Sequence, residues 1–350
     1  MQTLGIDGEV IVADNGSTDG SQEIARSMGA RLVEETEKGY GNAYRAGIKA
    51  AKGEYIIIGD SDDSYDFTDI GRFVEKLQEG YDLVMGARFK GKIEKGAMPW
   101  LHRYVGNPVL TRILNTFFHS GISDAHCGMR AFTKKAYKKM ALQTAGMEFA
   151  SEMVIKAAML RLKITEIPIT LHPDGRSGAP HLRSFRDGWR HLRFMLLHSP
   201  SYLYLWPGAV LFFIGMVGSL FLVFLPIKVG GRIVDMHIMV LSSLMAILGY
   251  QIILLGVYAR IYAVTQKFIP QGQFLNKMFK IFNLERGLAV GFAIVILGLG
   301  LGLMTFFHWL HSHGQFGEVR SALLSSTLVI IGTQTIFSSF FLSMLGIERK

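Results

Sequence analysis

Apolar residues follow two different habits along this chain, and the change comes near residue 200. Before it, short apolar runs alternate with segments of helical period. EVIVA (9–13), RLVE (31–34), EYIIIG (54–59), DLVMGAR (82–88) and EIPITL (166–171) predict strands, each bounded by polar or turn-forming residues. Residues 18–29, 40–52 and 69–79 predict helices between them. Strand and helix in alternation predict an α/β domain with a mainly parallel sheet, its ligands held at the carboxyl ends of the strands.

Beyond residue 200 four stretches reach bilayer length: 203–226, 236–259, 287–310 and 321–346. Each has the roughly 20 apolar residues needed to cross a hydrocarbon core as a helix. Tyr202, Tyr204 and Trp206 open the first, where aromatic residues sit at headgroup level. The third contains Gly298 and Gly302, four apart, a spacing that lets two helices approach closely. Thr333, Gln334, Thr335, Ser338 and Ser339 in the fourth predict hydrogen bonds between helices. The histidines of HWLHSH (His308, His311, His313) have no Cys, Asp or Glu beside them and read as interfacial residues. The expected organisation is a domain over 1–182, an amphipathic helix over 183–201, and an all-α membrane domain over 202–350 with an interfacial segment at 260–286.

Charge sharpens this division. Of 37 Lys and Arg and 28 Asp and Glu, only 10 and 4 fall after residue 200. Residues 161–200 hold seven basic and three acidic residues just before the first long apolar run. That excess, with Arg183, Arg186 and Arg190 within it, fits anionic lipid headgroups, and no nucleic-acid partner is expected. Arg260, Lys267, Lys277, Lys280, Arg286, Arg349 and Lys350 lie on one side of the predicted spans, against Lys228, Arg232 and Arg320 on the other. The positive-inside rule then predicts a multi-pass protein of the plasma (inner) membrane, with residues 1–200 and the C-terminus cytoplasmic. A single cysteine, Cys127, excludes an intramolecular disulfide.

Two predicted strands end in acidic residues. VADNGSTDGS (12–21) places Asp14 at the end of the first strand. EYIIIGDSDDSYDF (54–67) ends a buried-looking strand in Asp60, Asp62 and Asp63. Clustered carboxylates at a strand end are costly unless something cationic meets them. Two of them, two residues apart, suit Mg²⁺ or Mn²⁺ completed by phosphate oxygens. The plainer use of Asp63 or Asp66 is to cap the following helix.

Taken in order, VADNGSTDGS, EKGYGNAYRAGIKAAKGEYIIIGDSDD, ISDAHCGMRAF and EIPITLHPDGRSGAPHL resemble family 2 glycosyltransferases of the GT-A fold. Within them the chain is similar to polyprenyl-phosphate glycosyltransferases related to dolichyl-phosphate mannose and glucose synthases. The resemblance covers residues 1 to about 200. It implies nucleotide-sugar contacts from Asp14, Asp19, Lys38, Asn42 and Asp60, although Asp19 could equally serve the N-terminus of a helix. It implies a divalent ion on Asp60 and Asp62, and catalytic roles for Asp62, Asp124 and Arg130. The acceptor phosphate is expected at Arg130, with Arg176 and His181 matching more loosely. Ser64 departs from the glutamine common in mannose synthases.

The implied partners are a nucleotide-sugar donor and a polyprenyl-phosphate acceptor at the membrane, and a homo-oligomer is compatible with the pattern. The family's first strand and its Pro-x-Tyr-Asn-Glu-like stretch do not precede VADNGST, so the GT-A sheet is expected to lack that strand, either because the reading start is set downstream of the true one, the favoured expectation, or because the protein is truncated. Two other readings stand beside this one. A processive polysaccharide synthase would carry Gln-x-x-Arg-Trp, and the nearest string, RDGWRHL, has no glutamine. A truncated, non-catalytic membrane protein that binds nucleotide or partner subunits has the N-terminal pattern as its support.

Overall fold

The alternation of apolar side chains in the first half becomes a sheet with a core on each face. The computed structural model describes residues 5–175, 184–224, 228–229, 232–233, 235–266, 269, 283–311 and 319–346. The chain divides into two units, residues 1–195 and 196–350.

In the first unit, β1 (Ile11–Asp14) pairs in parallel with β2 (Arg31–Glu34) across α1 (Ser21–Ser27), with Asp14 opposite Glu34. After α2 (Tyr40–Ala50) come β3 (Tyr55–Ile58), α3 (Ile70–Gln78), β4 (Leu83–Ile93) and α4 (Asn107–Phe118). The unit continues through β5 (Arg130–Thr133), α5 (Lys134–Met140), α6 (Phe149–Met159), β6 (Ile164–Leu171) and α7 (Ser184–Leu197). A four-stranded sheet has the order β3-β5-β4-β6. β5 runs antiparallel to both neighbours, Arg130 facing Ile58 on one side and Met85 on the other, while β4 and β6 are parallel. The sheet is therefore mixed where a mainly parallel one was expected. Its central strand is the four-residue RAFT, whose Ala131-Phe132 pair lacks the β-branched apolar residue that the five predicted strands carry.

Successive residues of a strand point to opposite faces, and the two cores follow that rule. Ile56, Ile58, Leu83, Met85 and Phe132 pack with Ile48 of α2, Leu114 of α4 and Phe149 and Met153 of α6. Val84, Ala131, Ile167 and Ile169 pack on the other face with Phe73 and Leu77 of α3. A sheet covered on both sides in this way presents its strand ends, and the loops after them, as the place for chemistry.

The second unit is built from α8 (Trp206–Phe224), α9 (Asp235–Thr265), α10 (Leu284–His311) and α11 (Val319–Gly346). With the π-helical turn Ser201–Leu205 leading into α8, all four are long and apolar enough to cross a membrane. They match the four expected spans. α9, however, continues past residue 259 to Thr265, so the segment expected to be interfacial begins as helix. A small antiparallel hairpin, Lys228–Val229 with Arg232–Ile233, stands between α8 and α9.

Small residues bring these helices together. A Cβ on Gly298 of α10 would lie 2.9 Å from the Val329 nitrogen and 3.0 Å from the Ser325 oxygen, both backbone atoms of α11. Gly291 meets the Gly332 oxygen in the same way at 3.0 Å. The polar residues of α11 bond to α9: Thr335 Oγ1 lies 2.6 Å from Tyr250 Oη, and Thr327 Oγ1 donates to Ser243 Oγ at 3.0 Å. Gly300, between the two glycines of the close-approach pair, has nothing within 4 Å of its missing Cβ.

This difference gives a test within one six-residue string. Gly298→Leu should destabilise the helical unit by about 1–3 kcal/mol, the usual cost of overpacking. Gly300→Leu should leave it unchanged. The melting midpoints of the two purified variants in detergent measure this, and equal midpoints would refute the α10–α11 packing.

Candidate active site

Asp14 ends β1 and closes the turn that follows it. Its carboxylate accepts from Gly16 N at 3.0 Å, Ser17 N at 3.1 Å and Gln22 Nε2 at 2.7 Å. The Ser17 and Gln22 hydrogen bonds hold its pKa down to about 2 against the opposing effect of burial, so it is a fixed negative charge. Asp19 serves the start of α1, accepting from Ser21 N at 3.1 Å and Ser21 Oγ at 2.6 Å. Those bonds also lower its pKa. Of its two readings, the structure displays the helix-terminal one.

Asn15, which sequence reasoning passed over, fastens the next loop to this turn. Its amide donates to Glu35 O at 2.8 Å and Glu37 O at 2.9 Å, and its Oδ1 accepts from Gly39 N at 2.7 Å. Lys38 stands exposed on that loop. Asn42, in the first turn of α2, turns its amide back to the Glu37 carbonyl at 3.3 Å. The amides of Gly41 and Asn42 both donate to Ala145 O, at 2.8 and 3.3 Å. The α2 N-terminus is thus satisfied from within the protein.

The Asp60 and Asp62 pair follows β3. Asp60 Oδ1 accepts from Tyr44 Oη at 2.9 Å. Burial raises the Asp60 pKa, Tyr44 opposes that rise, and the neighbouring Asp62 charge adds to it. Burial and the same carboxylate hold the Tyr40 and Tyr44 phenols above their ordinary range. Asp62 Oδ1 accepts from Ser64 Oγ at 2.5 Å and Ser64 N at 3.2 Å. The backbone turns sharply next, with Asp63 at φ 65°. Asp66 instead caps the turn before α3, accepting from Thr68 N at 2.8 Å.

Two carboxylates on one turn, one of them raised in pKa by burial and by the other, form an oxygen donor set that a cation would relieve. They fit Mg²⁺ or Mn²⁺ as two ligands of an ion completed by phosphate and water. Among the described residues no cluster of three His, Cys, Asp or Glu side chains supplies a full protein cage.

The segment 124–130 lies against this pair. A Cβ on Gly128 would strike Asp60 Oδ2, and Gly128 N donates to Tyr65 Oη at 2.8 Å. Asp124 is 0% exposed and held by Arg88: Nε to Oδ2 at 2.7 Å, Nη2 to Oδ1 at 2.8 Å, and Arg88 N to Oδ2 at 3.1 Å. Burial works against the Arg88 charge, but the facing Asp124 outweighs it and the guanidinium stays protonated. Arg130 is 1% exposed, and donates to Cys127 O at 2.7 Å, Ala150 O at 2.5 Å and Ala125 O at 3.0 Å.

Asp124, expected in catalysis, and Arg130, expected at an acceptor phosphate, thus sit beside the acidic turn with these internal partners. Both groups are buried, and their hydrogen bonds are made within the protein. Sequence reasoning missed Arg88 because one arginine after an apolar run carries no distinguishing signal. It also missed His126, whose ring packs edge-on against His191 of α7 at 4.7 Å and 78°. Both His126 ring nitrogens are buried without a hydrogen-bond partner among the described residues, and burial keeps the ring neutral.

Arg176 and His181 lie outside the described residues. The chain just before them returns to the acidic turn, with His172 N donating to Ser64 O at 3.0 Å and Gly175 N to Asp62 O at 2.9 Å.

Comparison with known proteins gives this arrangement a family. Residues 5–141 match Glycosyl transferase family 2, and residues 257–346 match the Glycosyltransferase family 2 C-terminal transmembrane region. The low-salt glycan biosynthesis hexosyltransferase of Haloferax volcanii is 39% identical over 348 residues, spanning 99% of this chain and 83% of that one. A dolichyl-phosphate hexose transferase of the same organism is 34% identical over 182 residues, 51% of this chain and 76% of its own. Among solved structures, glucosyl-3-phosphoglycerate synthase of Mycobacterium tuberculosis, in complex with Mn²⁺, uridine diphosphate and glucosyl-3-phosphoglycerate, is 19% identical. It covers 54% of this chain and 66% of its own, with a TM-score of 0.40. An α/β domain of the GT-A class with acidic strand ends, four membrane-length helices after it, and a hexosyltransferase matching along its whole length make this chain a membrane glycosyltransferase of family 2.

Proposed function

We propose that the enzyme transfers a sugar from a nucleotide sugar to a polyprenyl phosphate at the cytoplasmic face of the plasma membrane. The observation that carries this is the carboxylate pair Asp60 and Asp62 at the end of β3, in one chain with four helices of bilayer length. The dolichyl-phosphate hexose transferase among its relatives supports a lipid-phosphate acceptor.

Asp14 offers a permanent negative charge at the neighbouring strand end, suited to donor contacts, with Lys38 exposed on the adjoining loop. Asp60 and Asp62 would hold Mg²⁺ or Mn²⁺, which supplies positive charge to the donor diphosphate as it leaves. A phosphate oxygen of the acceptor forms a bond to the anomeric carbon. The bond from that carbon to the diphosphate oxygen breaks, and its electron pair departs with the nucleoside diphosphate. The acceptor phosphate is already ionised, so no strong general base is needed, which agrees with the commitment of Asp124 to Arg88. Arg176 and His181 remain the residues proposed for that phosphate on the family resemblance of their loop.

Three measurements test this reading. Membranes containing the full chain, given labelled nucleotide sugars with undecaprenyl or dolichyl phosphate, should form a lipid-linked sugar only when divalent cation is present. Asp62→Asn should cut that turnover by about two orders of magnitude or more, the scale on which lost charge stabilisation is felt. Full activity in excess chelator would remove the metal from the scheme.

Arg130→Lys separates stability from acceptor binding. Lysine cannot reach three carbonyls at once, so the variant should lose about 3 kcal/mol of stability through unmet buried groups. Its apparent affinity for polyprenyl phosphate, measured on folded protein, should change little. Arg176→Ala should do the reverse, raising the acceptor KM at an unchanged melting midpoint. A selective loss of acceptor affinity in Arg130→Lys would restore the direct role.

Orientation is read by labelling. Cys127 is buried and its thiol is pushed up to about 12 by burial, so it stays silent. Cysteines placed at Ser312 and Gly230 should react with an impermeant thiol reagent added to intact cells, and one at Gln271 should not. The opposite pattern would put the nucleotide-sugar site on the wrong side of the membrane.

A further inference from the structure

The motif EKGYGNAYRAG (37–47) carries two tyrosines that the proposed transfer leaves without a task. Tyr40 and Tyr44 stand four residues apart on α2, so their side chains share one face of the helix. The two rings meet edge to face, with centroids 4.7 Å apart and planes at 73°. Tyr44 also stacks on Phe149 of α6, at 5.8 Å and 7°. Phe149 is 1% exposed and belongs to the core that covers one face of the sheet.

The start of α2 is fixed against the chain leading into α6. Gly41 and Asn42 donate their amides to Ala145 O, and a Cβ on Gly41 would strike the Thr144 oxygen. Packing therefore places the Tyr44 ring before any bond of its hydroxyl is considered. A phenol oxygen lies on the axis about which its ring turns, so ring flips leave it where it is. Moving it needs a change of χ1, which the Phe149 and Tyr40 rings obstruct.

That oxygen donates to Asp60 Oδ1 at 2.9 Å, across 16 residues of sequence. The other carboxylate oxygen, Oδ2, faces Gly128, where any Cβ would strike it. Asp62 is held differently, by Ser64 of its own turn. Of the pair, Asp60 is the one whose orientation is set from another element.

We propose that Tyr44 is a positioning residue for the divalent cation: its hydroxyl, locked by the Phe149 and Tyr40 rings, holds the Asp60 carboxylate ready for the ion assigned to Asp60 and Asp62. This rests on the assignment of Mg²⁺ or Mn²⁺ to that pair. A group that holds a metal ligand from behind governs how well the ligand binds, and losing one typically weakens metal affinity by roughly 10–100-fold.

The test counts Mn²⁺ bound to the full chain in detergent, from the electron paramagnetic resonance signal of the free ion. Tyr44→Phe keeps the ring, its stack on Phe149 and its contact with Tyr40, and removes one oxygen. It should raise the apparent Kd for Mn²⁺ about tenfold, while the melting midpoint without metal stays near that of the parent chain. In turnover, the Mn²⁺ concentration giving half the maximal rate should rise by the same factor, and the rate at saturating Mn²⁺ should recover. Tyr137→Phe removes a phenol that stacks on Phe132 against the same core, and should alter neither quantity. Gly128→Ala reaches Asp60 from its other oxygen and should weaken Mn²⁺ binding with Tyr44 intact. Asp62→Asn separates this inference from the reading beneath it. If Asp62→Asn and the parent chain retain Mn²⁺ equally, the pair does not hold the ion, and reading and inference fall together. If Asp62→Asn loses Mn²⁺ but Tyr44→Phe binds it as the parent does, the ion stays with the pair and Tyr44 has no part in holding it. A lowered midpoint with unchanged Mn²⁺ affinity would likewise leave Tyr44 as a packing residue and overturn the proposal.

Discussion

Two buried guanidinium groups that hold segment 124–130 must have their charge met inside the protein. Arg88 meets it with the Asp124 carboxylate, and Arg130 with three backbone carbonyls. Between them they fix segment 124–130, and Gly128 of that segment is pressed against Asp60. A single charge left unmatched there would cost several kcal/mol. The position of the Asp60 carboxylate thus depends on how these two guanidinium groups are held. The carbonyl of Ala150 ties the same network to α6, and through the core to the sheet.

The acidic turn itself is tuned by opposing effects. Burial and Asp62 push the Asp60 carboxyl toward its protonated form, and Tyr44 pulls it back. Asp14 is treated differently: short hydrogen bonds from its own turn keep it ionised. Two acidic strand ends in one domain therefore have distinct electrostatic characters, one held ionised by hydrogen bonds and one pushed toward its neutral form by burial.

Much of this was legible in the sequence, for physical reasons. Short continuous apolar runs are what a sheet covered on both faces requires, so five strands could be placed from pattern alone. β5 could not, because RAFT has no β-branched apolar residue and runs directly into the lysine-rich helix α5. The membrane-length helices were legible because length and apolarity are what a bilayer selects, although nothing in the pattern marked the end of α9. Strand-end acids were visible as an unfavourable placement seeking compensation. Arg130 was visible, but its surroundings were not: sequence shows that an arginine is present, and only geometry shows that three carbonyls hold it.

The packing of the helical unit bears on how it is made. Glycines let α8 approach α9, with Gly208 against the Gly249 oxygen, and let α10 approach α11, with Gly291 against the Gly332 oxygen. Each of these contacts joins helices consecutive in the chain. The side-chain hydrogen bonds Thr327 to Ser243 and Thr335 with Tyr250 instead join the first hairpin to the second. During synthesis, each hairpin can close as soon as its two helices have left the insertion machinery, by backbone proximity alone. The polar groups that unite the hairpins find their partners only when the last helix arrives, so assembly of the bundle is ordered by the direction of translation.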